Sequence, residues 1–316
     1  MNTSISGKII SVVLPVYNEA MNIIPMYEML LIVISKVNAI AELIFVNDGS
    51  NDNSLEVLRS LAEKDKNVKV LSFTRNFGHQ AAITAGLDIA HGDCVVTMDC
   101  DFQDPPEVIL LMLEKWMEGK KIIYGRRSLR NDGFFKRMTA KWYYKILYKA
   151  SDIKIKGNIG DFRLIDKSVV HELRQMKEKN RYLRGMVPWL GFSYDIVDYN
   201  RPNRKHGKTG FSVIKMSRLA MAGILNFSLL PLRLGLIMGI FIIATGILFL
   251  CYLAIRFFFD NQFYKLLEWL AVVNYILIGF LFILIWVVAE YIGRIYDEVK
   301  GRPLYVIESK ININQA

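Results

Sequence analysis

Apolar runs of a few residues alternate with longer amphipathic stretches from residue 8 to residue 130. The run 8–15 predicts a buried strand halted by Pro15, and a helix follows, running to about residue 37. Residues 41–46 predict a second strand, 53–64 a second helix and 68–73 a third strand. An alanine-rich helix through Ala90 leads to a strand that ends at Asp99, and another strand ends in the segment 122–130. Strands alternating with helices imply β-α-β units and a mostly parallel sheet. The expected fold is α/β, with ligands bound beyond the carboxyl ends of the strands.

After residue 212 the pattern changes. Residues 213–231 carry Lys215 and Arg218 among apolar neighbours, which predicts an amphipathic juxtamembrane helix. Two uncharged apolar stretches follow, 234–255 with 22 residues and 270–289 with 20. At about 1.5 Å per residue, each is long enough to cross a hydrocarbon core roughly 30 Å thick. The expected organisation is a cytosolic domain over 1–212, the juxtamembrane helix over 213–231, two transmembrane helices over 232–291 and a cytosolic tail over 292–316. The loop 256–269 holds two basic and two acidic residues, whereas both outer flanks are far more basic. The positive-inside rule then places both termini in the cytosol.

Composition supports a globular part joined to a membrane part. Of 316 residues, 53% are hydrophobic and the formal net charge is +10. Such a balance suits anionic lipid headgroups, phosphorylated substrates or nucleic acid. Three cysteines without a Cys-x-x-Cys pair exclude a disulfide framework and suit a reducing compartment, and four scattered histidines do not form a zinc motif. The run 8–15 is too short for a signal-peptide core and lacks a cleavage site. Residues 134–149 interleave lysines with aromatics, a pattern shared by lipid-interface helices and single-stranded nucleic-acid binders. The apolar spans favour lipid, and no nucleic-acid partner is expected.

The chemistry gathers at strand ends. Asp99-Cys100-Asp101-Phe102-Gln103-Asp104-Pro105-Pro106 follows the fourth strand. Asp99 and Asp101 are two apart, so extended backbone points both to one side, where they repel unless a divalent cation lies between them and a ligand. An Asx-rich turn is the alternative for that stretch taken alone. Tyr17 and Glu19 follow the first strand, Asp48 the second and Arg75 the third. Asp48 is an acceptor suited to the N3–H of uracil, Glu19 to ribose hydroxyls, and Tyr17 to the face of a base. Neither Gly-x-Gly-x-x-Gly nor Gly-x-x-x-x-Gly-Lys-Ser/Thr is present, so a bound diphosphate needs another counter-charge, which a metal on Asp99 and Asp101 supplies.

Val13-Leu14-Pro15-Val16-Tyr17-Asn18-Glu19, Val46-Asn47-Asp48-Gly49-Ser50-Asn51-Asp52 and Asp99-Cys100-Asp101 together resemble the family 2 glycosyltransferases of GT-A fold. The longer stretch through Pro106-Glu107 is similar to polyprenyl-phosphate glycosyltransferases of the bactoprenol glucosyltransferase and dolichol-phosphate mannose synthase kind. The resemblance covers almost the whole chain. It implies Mg²⁺ or Mn²⁺ held by Asp101 and Gln103, with Asp99 near the nucleotide, and a donor pocket including Pro15, Tyr17, Glu19, Asp48 and Arg75. It places Arg127, Arg130 and Arg137 around the lipid phosphate and sugar diphosphate, with Asp161 following the donor site as a base or an orienting residue. The basic loop 201–212 resembles one that closes over the donor. Here Thr209-Gly210-Phe211 replaces Ser-Lys-Tyr, so Lys205 or Lys208 stands in for the missing lysine. Arg181-Tyr182-Leu183-Arg184-Gly185 lacks the tryptophan of the Gln-x-x-Arg-Trp motif in processive synthases, which argues against a polymerising enzyme.

The activity implied is inverting transfer of one sugar, foremost glucose from UDP-glucose, to a polyprenyl phosphate such as undecaprenyl phosphate. Mannose, N-acetylglucosamine and aminoarabinose donors are alternatives, as is a non-catalytic nucleotide-sugar-binding partner of a flippase. The expected location is the bacterial cytoplasmic membrane. A flippase and a downstream glycosyltransferase in the cell envelope are expected partners, and Gly235, Gly239 and Gly246 would let spans pack in a homo-oligomer.

Overall fold

The computed structural model describes residues 5–127, 159–179, 181–200 and 264–313, with a few positions between 241 and 255. Its strands are β1 (Ile9–Val16), β2 (Ile40–Asn47), β3 (Val68–Phe73), β4 (Cys94–Thr97), β5 (Ile122–Arg127), β6 (Ile159–Asp166), β7 (Tyr194–Tyr199) and β8 (Ile307–Ile311). The helices are α1 (Ala20–Ser35), α2 (Ser54–Lys64), α3 (His79–Ile89), α4 (Val108–Met117), α5 (Lys167–Gln175), α6 (Leu183–Trp189) and α7 (Tyr264–Val299). One eight-stranded sheet runs in the order β7-β5-β6-β4-β1-β2-β3-β8. Strands β4, β1, β2 and β3 are mutually parallel, as is the β5–β7 pair, while β6 and β8 run antiparallel to their neighbours. The expected α/β, mostly parallel sheet is therefore present.

Helices cover both faces, which is why the central strands have uninterrupted apolar runs. Ile10, Val12, Leu14 and Val16 of β1 enter one core with Ile23 and Met26 of α1 and Leu58 of α2. Val13 points the other way, into a second core with Ala82 and Ala85 of α3 and Val170 of α5. A Cβ on Gly86 would lie 2.2 Å from Val13 Cγ1, so α3 approaches β1 more closely than any alanine allows. The small residues that mark α3 in the sequence have this packing as their cause.

Pro15 does not halt β1, which continues to Val16. Met98 N–H donates to the carbonyl of Val13, and Asp48 N–H donates to that of Val16. Alternation along the strand then turns the missing donor of Pro15 toward β4, beyond the last β1–β4 pair, Val13 with Thr97. No ladder bond is lost there, so a proline is tolerated inside the sheet.

The C-terminal residues differ most from the sequence expectation. The boundary expected near residue 292 falls inside α7, and 307–311 return to the sheet as β8, antiparallel to β3. Tyr305 stacks on Phe73 with ring centroids 4.9 Å apart and donates to Asp88 at 2.9 Å. The Asn312 amide donates to the carbonyls of Ala62 and Val68 at 2.6 and 2.9 Å. Among the described residues no helix is long and apolar enough to cross a membrane, so the fold does not carry the two-span expectation. Most of 234–255 lies outside the described residues, as do the helix expected at 213–231 and several side chains of 270–289, which falls within α7.

Candidate active site

The carboxyl ends of β1, β2 and β4 and the amino end of the antiparallel β6 converge on one edge of the sheet, and the loops there are stitched together by short polar side chains. Asn18, with φ of 57°, accepts from Asn51 N–H at 2.8 Å, while its own N–H donates to Ser50 Oγ at 3.0 Å. Ser54 Oγ accepts from Glu19 N–H at 3.0 Å. Pro15, Tyr17, Glu19 and Asp48 are thus brought to one edge, with the Tyr17 ring 44% exposed.

Asp48 also has a structural task that the sequence did not reveal. Its carboxylate accepts from Phe77 N–H at 2.7 Å and from Gly78 N–H at 3.0 Å, pinning the loop that carries Arg75. Burial raises the Asp48 carboxyl more than these bonds lower it. Gly49 makes the approach possible. Its φ is +63°, and a Cβ would fall 2.4 Å from the carbonyl carbon of Arg75.

After β4 the chain bends sharply. Phe102 has φ of 61°, a left-handed conformation that costs a non-glycine residue about 1–2 kcal/mol. Beside it, the buried Asp101 accepts from Gln103 N–H at 3.0 Å. The strain is located within the acidic motif itself. Asp99, Asp101 and Gln103 offer hard oxygen donors of the kind Mg²⁺ and Mn²⁺ take. Among the described residues no group of three His, Cys, Asp or Glu side chains could hold a metal ion. By donor chemistry, a set of two carboxylates and one carboxamide would suit a divalent ion that takes its other ligands from a substrate or water.

Asp161 on β6 completes the edge. Arg163 Nη2 and Arg184 Nη2 each approach its carboxylate to 2.7 Å, and Gln80 Nε2 donates to it at 3.3 Å. Asp161 and Arg163 share a face of β6, whereas Arg184 comes from α6. Burial alone would raise this carboxyl, but the two guanidiniums outweigh it and hold it well below the usual carboxylate range. A carboxylate so stabilised is a weak base and a strong orienting group for arginine.

His79, at the start of α3, links the two halves. Its Nε2 is 2.7 Å from Asp99 Oδ1, and its Nδ1 is 3.9 Å from Asp161 Oδ2. Burial disfavours the imidazolium, yet Asp99 and then Asp161 push its pKa up to about 9. Sequence reasoning missed His79, Gln80 and Arg163. The available signal was the placement of Gly78-His79-Gln80 at the carboxyl end of β3, where a new helix begins. Arg127, the last residue of β5, lies near Asp104, whereas Arg130, Arg137 and Lys208 lie outside the described residues.

A mostly parallel α/β sheet with an acidic, strained loop after β4 and no glycine-rich phosphate loop is compatible with the glycosyltransferase class expected from the sequence. Residues 11–174 match the family described as Glycosyl transferase family 2, and the chain belongs to that family. It is 44% identical to the uncharacterized glycosyltransferase YkcC of Bacillus subtilis (strain 168), over 96% of this chain and 94% of that one. It is 40% identical to the bactoprenol glucosyl transferase of Shigella phage SfII, over 95% of this chain and 97% of that one. Among solved structures, a Mycobacterium tuberculosis glucosyl-3-phosphoglycerate synthase with Mn²⁺, UDP and phosphoglyceric acid is 17% identical, with a TM-score of 0.48 over 69% of this chain and 77% of that one.

Proposed function

We propose that the protein transfers glucose from UDP-glucose to a polyprenyl phosphate such as undecaprenyl phosphate, with inversion at the anomeric carbon. The observation that supports this reading is the joining of Asp99 to Asp161 through His79, which brings a carboxylate of the acidic loop beside a carboxylate paired with arginine. Pro15, Tyr17, Glu19, Asp48 and Arg75 hold the uridine end. Asp99, Asp101 and Gln103 would hold Mg²⁺ or Mn²⁺, which when bound neutralises charge on the departing diphosphate. A lipid phosphate with second pKa near ~6 is already mostly dianionic at neutral pH, so its oxygen attacks without a strong base. Asp161 accordingly acts by fixing Arg184 and Arg163, with Arg127, Arg130, Arg137 and Lys208 supplying further cationic contacts to phosphoryl groups. The product is a lipid-linked sugar for cell-envelope glycans, delivered through a flippase to a downstream glycosyltransferase.

The same reading places the protein in the bacterial cytoplasmic membrane, with 234–255 and 270–289 as spans and both termini cytosolic. Support comes from their length without charge and from the basic flanks. Anchoring raises the effective concentration of a lipid acceptor at the site, and homo-oligomers would form through the glycine-bearing span.

The test incubates purified full-length protein with Mg²⁺ or Mn²⁺, undecaprenyl phosphate and labelled UDP-glucose, GDP-mannose, UDP-N-acetylglucosamine or UDP-aminoarabinose. The expected result is lipid-extractable label from UDP-glucose, reduced at least about 100-fold by Asp101→Ala. Absence of label from every donor overturns the enzyme reading, and full activity in Asp101→Ala overturns the metal role.

A further inference from the structure

Behind the metal-side loop lies a buried polar cluster that the sequence did not single out. Asp104, next to Gln103, is 1% exposed and Tyr199 is 5% exposed. The Tyr199 hydroxyl donates to Asp104 Oδ1, and Arg127 Nε donates to the Tyr199 oxygen at 3.3 Å. Arg127 Nη2 also lies 3.7 Å from Asp104 Oδ1. Arg127 and Tyr199 are cross-strand partners in the last register of the parallel β5–β7 ladder. Three elements therefore end on one hydrogen-bonded relay, running from guanidinium to phenol to carboxylate.

The packing around the relay is specific. Phe162 meets the Tyr199 ring edge-on at 5.4 Å. A Cβ on Gly125 would lie 2.7 Å from Phe162 Cδ1 and 3.1 Å from Tyr199 Cε1, and one on Gly160 would lie 3.2 Å from Arg127 Nη2. Glycine at both positions leaves the room in which the ring and the guanidinium sit. The Arg127 side chain is 26% exposed, and among the described residues its Nη1 makes no hydrogen bond. One edge of the fork is held by buried groups and the other remains for a ligand. A planar guanidinium fixed on one edge is suited to phosphoryl oxygen on the other.

We propose that Asp104 and Tyr199 are positioning residues that aim Arg127 at a phosphoryl group of one of the two substrates, locking it in register with the Asp101–Gln103 loop. The inference rests on the proposed transfer reaction for the identity of the phosphate. The ligand is either the nucleotide diphosphate or the lipid phosphate, and its source is open to measurement.

The experiment is a double-mutant cycle of Tyr199→Phe with Arg127→Ala in the full-length protein. It is read on binding of UDP with Mn²⁺ and on binding of a short-chain prenyl phosphate, with turnover measured beside them. Tyr199→Phe removes one oxygen from a packed ring and is expected to weaken one of the two ligands about tenfold. In the Arg127→Ala background the same change is expected to cost less than about twofold, because Tyr199 acts through Arg127. The ligand that responds identifies the phosphate. Equal factors in both backgrounds, or unchanged affinity for both ligands in Tyr199→Phe, overturn the proposal, as does a wild type that binds neither. Asp104→Asn, which keeps an acceptor for the phenol but removes the charge, should give a smaller loss on the same ligand. A loss on both ligands that tracks a fall in melting temperature would mean a purely structural role. Binding without turnover would refute the transfer reaction alone and leave the relay standing.

Discussion

Asp161 shows how a residue's neighbours decide its chemistry. The sequence left it between a base and an orienting group. Two guanidiniums at 2.7 Å support the second. Because its folded carboxyl is depressed below the unfolded value of about 3.9, its stabilising effect is complete above about pH 4 and is lost as pH falls through the folded value. Urea midpoints of wild type and Asp161→Asn should therefore differ by a steady amount between about pH 7 and 5 and converge in stronger acid. At neutral pH the difference should be about 3–5 kcal/mol, since Arg163 is left buried without its partner. A gap that widens on acidification would count against the ion pairs. Asp99, Asp101 and Gln103 could be proposed as a set because their spacing is local. His79 and Gln80 were not, since their partners are 20 and 81 residues away.

At the scale of elements, two close approaches carry testable costs. Gly49→Ala adds a Cβ against the Arg75 backbone at a positive φ, so it should lose about 1–3 kcal/mol in a thermal melt. It should also weaken UDP binding, because the loop pinned by Asp48 would shift. The second element is β8. Asn312, with φ of 56°, closes the C-terminal end of α2 and the start of β3 through its amide. Asn312→Ala should cost about 1–2 kcal/mol in urea denaturation. Deleting 304–316 should cost more, because it uncovers Phe73 and leaves β3 as an open edge. If the truncated protein is as stable as the full chain, β8 is dispensable to the sheet. Nothing in the alternating exposure of Ile307–Ile311 marked it as the partner of a strand more than 230 residues earlier.

For the whole molecule, β8 constrains topology. It lies in the same sheet as β1 to β4, and Glu298, near the end of α7, accepts from Lys179 N–H at 2.7 Å. The chain after α7 is thus packed on the same domain as β1 to β4, and if the chain crosses a membrane, the number of crossings between β7 and β8 must be even. Helix α7 spans 36 residues, about 54 Å at about 1.5 Å per residue, and exposes Phe282, Ile283 and Trp286. Fractionation should leave the protein in membranes after alkaline extraction. Single cysteines placed at residues 7 and 301 should both be shielded from an impermeant thiol reagent in intact cells. Labelling of only one of them would be incompatible with β8 in the sheet.

The sequence by itself determined what depends on short-range order. Apolar runs specified the strands, small residues specified α3, and motifs at strand ends pointed to one edge of the sheet. Those signals are local because side-chain periodicity and turn geometry are local. Only the tertiary structure decided which distant groups meet: Asp99 with Asp161 through His79, Arg127 with Asp104 through Tyr199, and the C-terminal strand with β3. Each of these contacts is made by sheet order, which brings together segments whose separation along the chain leaves no periodic trace.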